Sequence, residues 1–110
     1  MNRAQTGWLG EWQAALYLRA HGMRIVSRRF RAGHWEIDLI ARDGDTLVFV
    51  EVKTRPRGEA NDGLRAVTAA KRRHLRAAAA AYLAAHPADS VRFDVIEITA
   101  AGLAHIKNAF

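Results

Sequence analysis

The segment from residue 34 to residue 53 constrains the fold more than any other part of the chain, because it contains two strand patterns around a turn. Apolar and polar residues alternate from His34 to Arg42, and valine occupies every other position in the middle of the run from Thr46 to Lys53. Between the runs, Asp43-Gly44-Asp45 contains a residue pair that favours a two-residue hairpin loop. The segment therefore predicts an antiparallel hairpin.

This hairpin would gather charged side chains on one face of a sheet. If Gly44-Asp45 forms the loop, Asp38 lies opposite Glu51 and Glu36 lies opposite Lys53, with Cβ atoms roughly 5 Å apart. The other face of the hairpin is apolar throughout, including Ile37 and Leu39. We therefore expect a sheet that is covered on both sides and has a cleft at one end.

The gathered charges favour a metal site. Three carboxylates beside an apolar surface repel one another and are costly to bury without a cation. Lys53 supplies one positive charge, and a divalent ion held by Asp38 and Glu51 would supply the rest. Oxygen ligands suit Mg²⁺ or Mn²⁺ rather than Zn²⁺. Such an ion polarises a phosphate and activates a bound water, which Lys53 could position or deprotonate.

A structural interpretation of the same residues is a solvated strand end with a cross-strand Glu36–Lys53 pair. An acidic residue two positions before a lysine is a weak motif by itself. The choice of lysine favours the functional interpretation, because the chain contains 14 Arg and only 3 Lys. An ammonium group is compact, and its pKa can be tuned by burial.

The remaining segments predict one mixed α/β domain spanning residues 1–110. We expect a first helix from about Thr6 to His21, ended by Gly22. Its predicted buried side comprises Trp8, Leu9, Trp12, Ala15 and Leu16. The other predicted elements are a partly exposed edge strand from Met23 to Phe30, a loop over residues 56–63, a helix from Leu64 to Ala85 stopped by Pro87, a strand from Ser90 to Ile98 and a short strand from Leu103 to Ile106.

The composition excludes several classes of protein. Cysteine is absent, which excludes a disulfide scaffold, a thiolate metal site and a cysteine nucleophile. The longest uncharged apolar run covers residues 77–85, far short of the roughly 20 residues that cross a bilayer. Glu11 interrupts the N-terminal segment before it could serve as a signal peptide. We therefore expect a cytoplasmic protein with no membrane partner.

Positive charge lies on both sides of an acidic centre. The formal net charge is +6, yet residues 32–51 hold five acidic residues and a single arginine. This order suits a polyanion that is held by flanking positive surface with carboxylates at its middle. A solvated basic surface in a chain rich in arginine fits the charge equally well.

A set of motifs extends over nearly the whole chain. Its members are Gly7, Gly10-Glu11, Ala14, Tyr17-Leu18 and Gly22 in the first helix, Glu36 to Ala41, Val48 to Lys53 with Arg55, Lys71, Arg92-Phe93-Asp94 and the ending Asn108-Ala109-Phe110. This combination is far more specific than the acid–lysine spacing. In these residues the chain resembles the YraN-like family of the PD-(D/E)xK nuclease superfamily, which is similar to archaeal Holliday junction resolvases.

The resemblance implies a restriction-endonuclease-like core with the order helix, three antiparallel strands, helix and strand. It implies a metal site at Asp38 and Glu51 and a catalytic Lys53. It also implies that the carbonyl of Val52 joins the metal coordination and that Glu11 completes the site.

Three tryptophans require a separate interpretation. Trp35 departs from the family pattern, which usually has glycine at that position, and strand alternation points Trp35 away from the acids. We therefore expect altered packing there. Trp8, Trp12 and Phe93 are predicted to lie in the core instead of serving as base-stacking platforms.

Four basic residues are candidate contacts to nucleic acid. Arg55 and Arg57 lead from the active strand into the following loop, and Lys71 and Arg72 lie on the second helix. For the helix, a solvated basic face fits the pattern as well as a nucleic-acid surface does. Arg92 and Asp94 share a strand face and are interpreted as a structural pair.

These observations predict a nuclease dependent on Mg²⁺ or Mn²⁺ that hydrolyses phosphodiester bonds in nucleic acid, with branched or otherwise unusual DNA as the expected substrate. Its catalytic groups would be Lys53, Asp38, Glu51 and Glu36. One alternative is a catalytically silent nucleic-acid-binding module on the same fold, and a weaker one is a protein-interaction adaptor. A homodimer would suit a substrate with two strands, although no pattern in the sequence requires one.

Overall fold

The computed structural model describes residues 3–55 and 67–110, with side chains from residue 9 onward. The described elements, in chain order, are α1 (Arg3–Ala20), β1 (Arg24–Ala32), β2 (Trp35–Asp43), β3 (Thr46–Arg55), α2 (Ala69–Ala85), β4 (Ser90–Thr99) and β5 (Gly102–Ile106). The predicted order of helices and strands is confirmed. The predicted loop over residues 56–63, which includes Arg57, lies outside the described residues.

The five strands form one mixed sheet with the spatial order β1-β2-β3-β4-β5. Strands β3 and β4 are parallel, whereas the other neighbouring pairs are antiparallel. Strand β1 lies at an edge, as its basic sequence predicts. This arrangement confirms the predicted mixed α/β fold and is consistent with a restriction-endonuclease-like core.

The β2–β3 hairpin has the predicted register over its first half. Pairing runs from Asp43 opposite Thr46 to Leu39 opposite Val50. Gly44 has a φ of 59° at the turn, a conformation that glycine adopts without steric cost. The two-residue loop therefore fixes which side chains share a face.

The two helices cover opposite faces of the sheet. Residues of α2 pack with Phe49 and Val95 in one core cluster, and residues of α1 pack with Val48 and Ile96 in another. The prediction of a sheet covered on both sides is therefore confirmed.

The predicted shared face of Ile37 and Leu39 is wrong. Ile37 packs in the cluster on the α2 side, whereas Leu39 packs on the α1 side. Asp38 lies between these two residues, and it is not paired with Arg29 of β1, although the residues on either side are paired. Arg29 has a left-handed φ of 51°. Ile37 and Leu39 are two positions apart yet lie on opposite sides of the sheet, so the regular alternation of β2 breaks at Asp38.

The predicted buried side of α1 is also wrong in most of its members. Leu9, Trp12 and Leu16 are 43%, 48% and 48% exposed. Ala15 is buried as predicted, and the other buried positions among the described side chains of this helix are Gly10, Ala14 and Leu18. Three of these four residues are small, and at Gly10 the helix lies so close to β3 that a Cβ would overlap Thr54. The side chain of Trp8 lies outside the described residues.

Phe93 confirms its predicted place in the core. Its ring stacks on Phe49 and Phe110, with ring centroids 5.4 Å and 5.1 Å apart.

The ends of the helices agree in part with prediction. Helix α1 already includes Arg3, upstream of the predicted start at Thr6, and it ends at Ala20, one residue before the predicted His21. Gly22, the predicted stop, has a left-handed φ of 86°. After this glycine, the Met23 N–H donates to the Leu18 carbonyl at 3.0 Å, which gives a backbone carbonyl in the last turn of the helix a hydrogen-bond partner. Neither helix in the described part of the chain combines the length and apolar character needed to span a bilayer.

Helix α2 begins at Ala69, because Thr68 caps it, and residues 64–66 of the predicted helix lie outside the described residues. The Thr68 hydroxyl accepts a hydrogen bond from the Lys71 N–H at 3.1 Å. This cap places Lys71 in the first turn of the helix. The helix ends at Ala85, in agreement with the stop predicted from Pro87.

The close approach of α1 to β3 gives a test of the fold. A Cβ at residue 10 would overlap the Thr54 hydroxyl. We expect Gly10→Ala to lower the free energy of unfolding, because overpacking costs roughly 1–3 kcal/mol and alanine's better helix propensity returns only about 1 kcal/mol. Urea denaturation measures the change. Adding Thr54→Ala removes the overlapping hydroxyl and should recover most of the loss, whereas a Gly10→Ala protein as stable as the parent would contradict this packing.

Candidate active site

The β2–β3 ladder opens where the acidic residues lie. Regular pairing ends at Leu39 and Val50, and beyond them the Val52 N–H donates to Asp38 Oδ2 at 2.8 Å. In a continued ladder this N–H would donate to a backbone carbonyl of β2. The Asp38 carboxylate therefore takes the place of a backbone acceptor, which fixes its orientation beside β3.

Asp38 and Glu51 form a coupled pair of acids. Glu51 is only 4% exposed. Burial, and next the negative charge of Glu51, raise the pKa of Asp38 from its ordinary value of 3.8 to about 8, although the hydrogen bond from Val52 opposes this rise. At neutral pH Asp38 therefore keeps its proton when no cation lies beside it.

Two lysines contact one oxygen of Glu51. The ammonium nitrogen of Lys53 lies 3.2 Å from Glu51 Oε1, and that of Lys71 lies 3.6 Å from the same atom. The other oxygen, Glu51 Oε2, is buried and accepts no hydrogen bond from the described residues. A buried acceptor without a partner costs free energy, and a metal ion is one group that would satisfy it.

A second group of acids meets at Asp38. Carboxylate oxygens of Glu11, Glu36 and Asp38 all lie within 4.8 Å of one another. Helix α1 supplies Glu11, next to the small residue Gly10 that allows its close approach to the sheet. Asp38 is therefore the acid common to both groups.

Arginines of β1 contact two of these acids. Arg29 Nε donates to Glu11 Oε2 at 2.8 Å, and Arg31 Nε donates to Glu36 Oε2 at 3.1 Å. The predicted Glu36–Lys53 pairing is not found, because β2 stays paired with β1 at Glu36 but separates from β3 beyond Leu39. Lys53 pairs with Glu51 instead.

The donor set suits a hard divalent ion. The side chains that meet are carboxylates, and a buried oxygen of Glu51 lacks a partner. Asp38 and Glu51 could hold such an ion directly, with Glu11 approaching from α1, and Mg²⁺ and Mn²⁺ prefer oxygen ligands of this kind. Val52 is tied to the same place through its N–H.

The basic residues predicted to contact nucleic acid lie in different surroundings, and among those that the structure describes only Lys71 is in contact with an acid of the site. Lys71 lies beside the acids, because the Thr68 cap sets it in the first turn of α2. Arg72 donates to the Val67 carbonyl at 3.1 Å and lies over the Phe110 ring, so it supports the packing of α2. Arg55 is the last residue of β3, near the open end of the sheet.

The Trp35 indole stacks on the His74 imidazole of α2, with ring centroids 3.5 Å apart. This contact joins the start of β2 to the helix that carries Lys71. Trp35 keeps more than a third of its surface exposed.

Two residues near the site were not identified from sequence. Glu97 of β4 is fully buried and lies in register with Lys53. An acid at a position where β4 alternation places apolar residues is the signal that could have found it. Arg29 carries no such signal, because its role depends on the irregular backbone of β1.

The predicted Arg92–Asp94 pair is structural. Arg92 contacts Asp94 at 3.1 Å and Asp43 at 2.8 Å, and His105 contacts Asp94 at 2.7 Å. Burial alone would raise the pKa of Asp94, but the hydrogen bonds from His105 and Arg92 lower it. The network ties the hairpin turn to β4 and β5.

The raised pKa of Asp38 predicts how stability depends on pH. In the metal-free protein, folded Asp38 keeps a proton up to about pH 8, whereas the unfolded chain releases it near pH 4. Stability is therefore lost as the pH rises from about 4 to about 8. We expect Asp38→Asn to remove this loss, so that the variant gains on the parent as the pH rises.

Urea denaturation in EDTA at about pH 5 and about pH 9 measures the difference. Asp45→Asn, on the exposed turn, is the matched control and should follow the parent. Parallel pH profiles for the parent and Asp38→Asn would contradict the assignment.

Comparison with known proteins places the chain in a family. Residues 10–98 match the model of the uncharacterised protein family UPF0102. A UPF0102 protein of Geobacter metallireducens is 44% identical over 116 residues, covering 100% of this chain and 95% of the relative. A UPF0102 protein of Shewanella amazonensis is 44% identical over 105 residues, covering 94% of this chain and 97% of the relative. The chain therefore belongs to the UPF0102 (YraN) family, a membership consistent with the PD-(D/E)xK superfamily.

Proposed function

We propose that the protein is a metal-dependent phosphodiesterase that hydrolyses nucleic acid, with branched or otherwise structured DNA as its substrate. The observation that supports this most is the meeting of Asp38 and Glu51 at the opening of the β2–β3 ladder, with Lys53 3.2 Å from Glu51. Two adjoining carboxylates with an ammonium group beside them are a typical arrangement for metal-assisted phosphate chemistry.

Each residue has a role that its position allows. A divalent ion bound by Asp38 and Glu51 would act as a Lewis acid on the phosphate and lower the pKa of a bound water. Lys53, whose ammonium group lies beside the ligand Glu51, would orient that water and stabilise the negative charge of the hydroxide formed from it. Lys71 adds a second positive charge next to the developing negative charge at phosphorus.

A polyanionic substrate fits the charges around the acids. The protein has a formal net charge of +6. Arg29, Arg31 and Lys71 all contact the carboxylates and keep part of their surface exposed. A nucleic-acid backbone offers a phosphate for the acids' metal and neighbouring phosphates for these cations.

A catalytically silent nucleic-acid-binding module remains the second candidate, and one observation favours it. Glu11 and Glu36 already pair with Arg29 and Arg31. Guanidinium groups therefore neutralise part of the acidic cluster without a metal ion.

Lys53→Ala separates the two candidates. We expect the variant to lose cleavage by roughly 10²- to 10⁴-fold, the usual contribution of a proton-transfer group. Its affinity for DNA should change little, because one cation among many is removed. The assay follows labelled four-way junctions, flaps, duplexes and single strands with Mg²⁺ or Mn²⁺. Lys107→Ala removes an exposed lysine outside the site and is the matched control.

Variants purified in the same way as the parent expose any contaminating nuclease, because a contaminant would cleave equally in every preparation. Equal cleavage by Lys53→Ala and the parent would contradict the proposed role of Lys53. Binding that weakens with salt, without metal-dependent cleavage of any substrate, would identify the silent module instead.

A further inference from the structure

Trp12 is placed unusually for a large aromatic residue. It is 48% exposed on α1, one residue after Glu11, and the guanidinium carbon of Arg28 lies 4.8 Å from the centre of its ring. The cation–π contact orients the indole, yet about half of the Trp12 surface stays open to solvent with Arg28 in place.

Trp12 forms part of a groove that begins at the acidic cluster. One depression is lined by Glu11, Trp12, Arg28 and Arg29. A second depression shares Trp12 and Arg28 with the first and continues past Arg19. A chain that crosses this groove would therefore pass directly from the acids onto the indole.

The groove combines an aromatic surface with positive charge. Arg19, Arg28 and Arg29 line it and are exposed. Stacking of bases on aromatic rings beside cations that contact the phosphates is how proteins bind single-stranded nucleic acid. In an intact duplex the bases remain stacked on one another, so only an unpaired nucleotide can use such a ring.

We propose that Trp12 is a stacking platform for an unpaired nucleotide next to the phosphate that the acidic site holds, so that the preferred substrate has a single-stranded segment there. This proposal rests on the proposed function. A second copy of the chain is a poorer occupant of the groove, because a symmetric interface would set the same arginines of the two copies against one another.

The test measures binding separately from cleavage. Labelled oligothymidine and a duplex of equal length are titrated with the full-length protein in EDTA, where no metal-dependent cleavage occurs. We expect Trp12→Ala to weaken binding of the single strand between about 5-fold and about 150-fold, the range of one base stack, and to change duplex binding less than about twofold.

Two further variants make the result specific. Trp12→Phe keeps a ring and should retain most of the affinity for the single strand. Leu9→Ala removes an apolar side chain that is 43% exposed on the same helix but does not line the groove, and it should bind as the parent does.

The outcomes distinguish this proposal from the proposed function. Unchanged single-strand binding by Trp12→Ala overturns the platform even if the parent cleaves DNA. Weakened binding by Trp12→Ala supports the platform even if no cleavage is found. Loss of a dimer in Trp12→Ala, measured by analytical ultracentrifugation with no change in single-strand binding, would assign the groove to self-association and overturn the proposal.

Discussion

The hydrogen bond from the Val52 N–H to Asp38 Oδ2 is the contact on which the candidate site depends. It replaces a bond of the β2–β3 ladder at the point where the strands separate, so the backbone stays satisfied while the sheet opens. The separation makes room for the Asp38 and Glu51 carboxylates at the end of an otherwise apolar hairpin. If the Asp38 carboxylate did not accept this bond, β2 would have to stay paired with β3 and cover the acids, or the Val52 N–H would lack an acceptor.

The site combines contributions from both faces of the sheet. Glu11 comes from α1, whereas Lys71 comes from α2 on the opposite face. Asp38 lies between them and takes part in both groups of acids. The arginines of β1 already neutralise Glu11 and Glu36, so a metal ion would compete with guanidinium groups for these two acids, whereas at Glu51 it would meet the ammonium groups of Lys53 and Lys71.

Local patterns predicted the order of the elements and the hairpin register, because a two-residue turn and strict alternation determine both. The prediction failed where the backbone is irregular. Arg29 has a left-handed backbone conformation, and the β2–β3 ladder opens nearby. Ile37 and Leu39 consequently lie on opposite sides of the sheet, and Glu36 pairs with Arg31 instead of Lys53. No residue pattern encodes that irregularity.

The prediction of the buried side of α1 failed for a different reason. Hydrophobicity alone placed Trp12 and Leu16 inside, yet the distance between helix and sheet favours small residues. That distance depends on tertiary packing, which the sequence of the helix does not contain. Contacts of Lys71 with Glu51 were likewise beyond prediction, since they require the Thr68 cap and the crossing of α2 over the sheet.

Asp38 and Glu51 lie on the two strands of one hairpin, so the length of chain between them determines whether their carboxylates meet. The turn at Gly44 sets the register of β2 against β3 as far as Leu39 and Val50, and Asp38 and Glu51 are the residues that come next on the two strands. Adding or deleting one residue between that turn and either acid would rotate its carboxylate to the other face of the sheet. The number of residues between the two acids is therefore a constraint of its own, separate from the identity of the acids themselves.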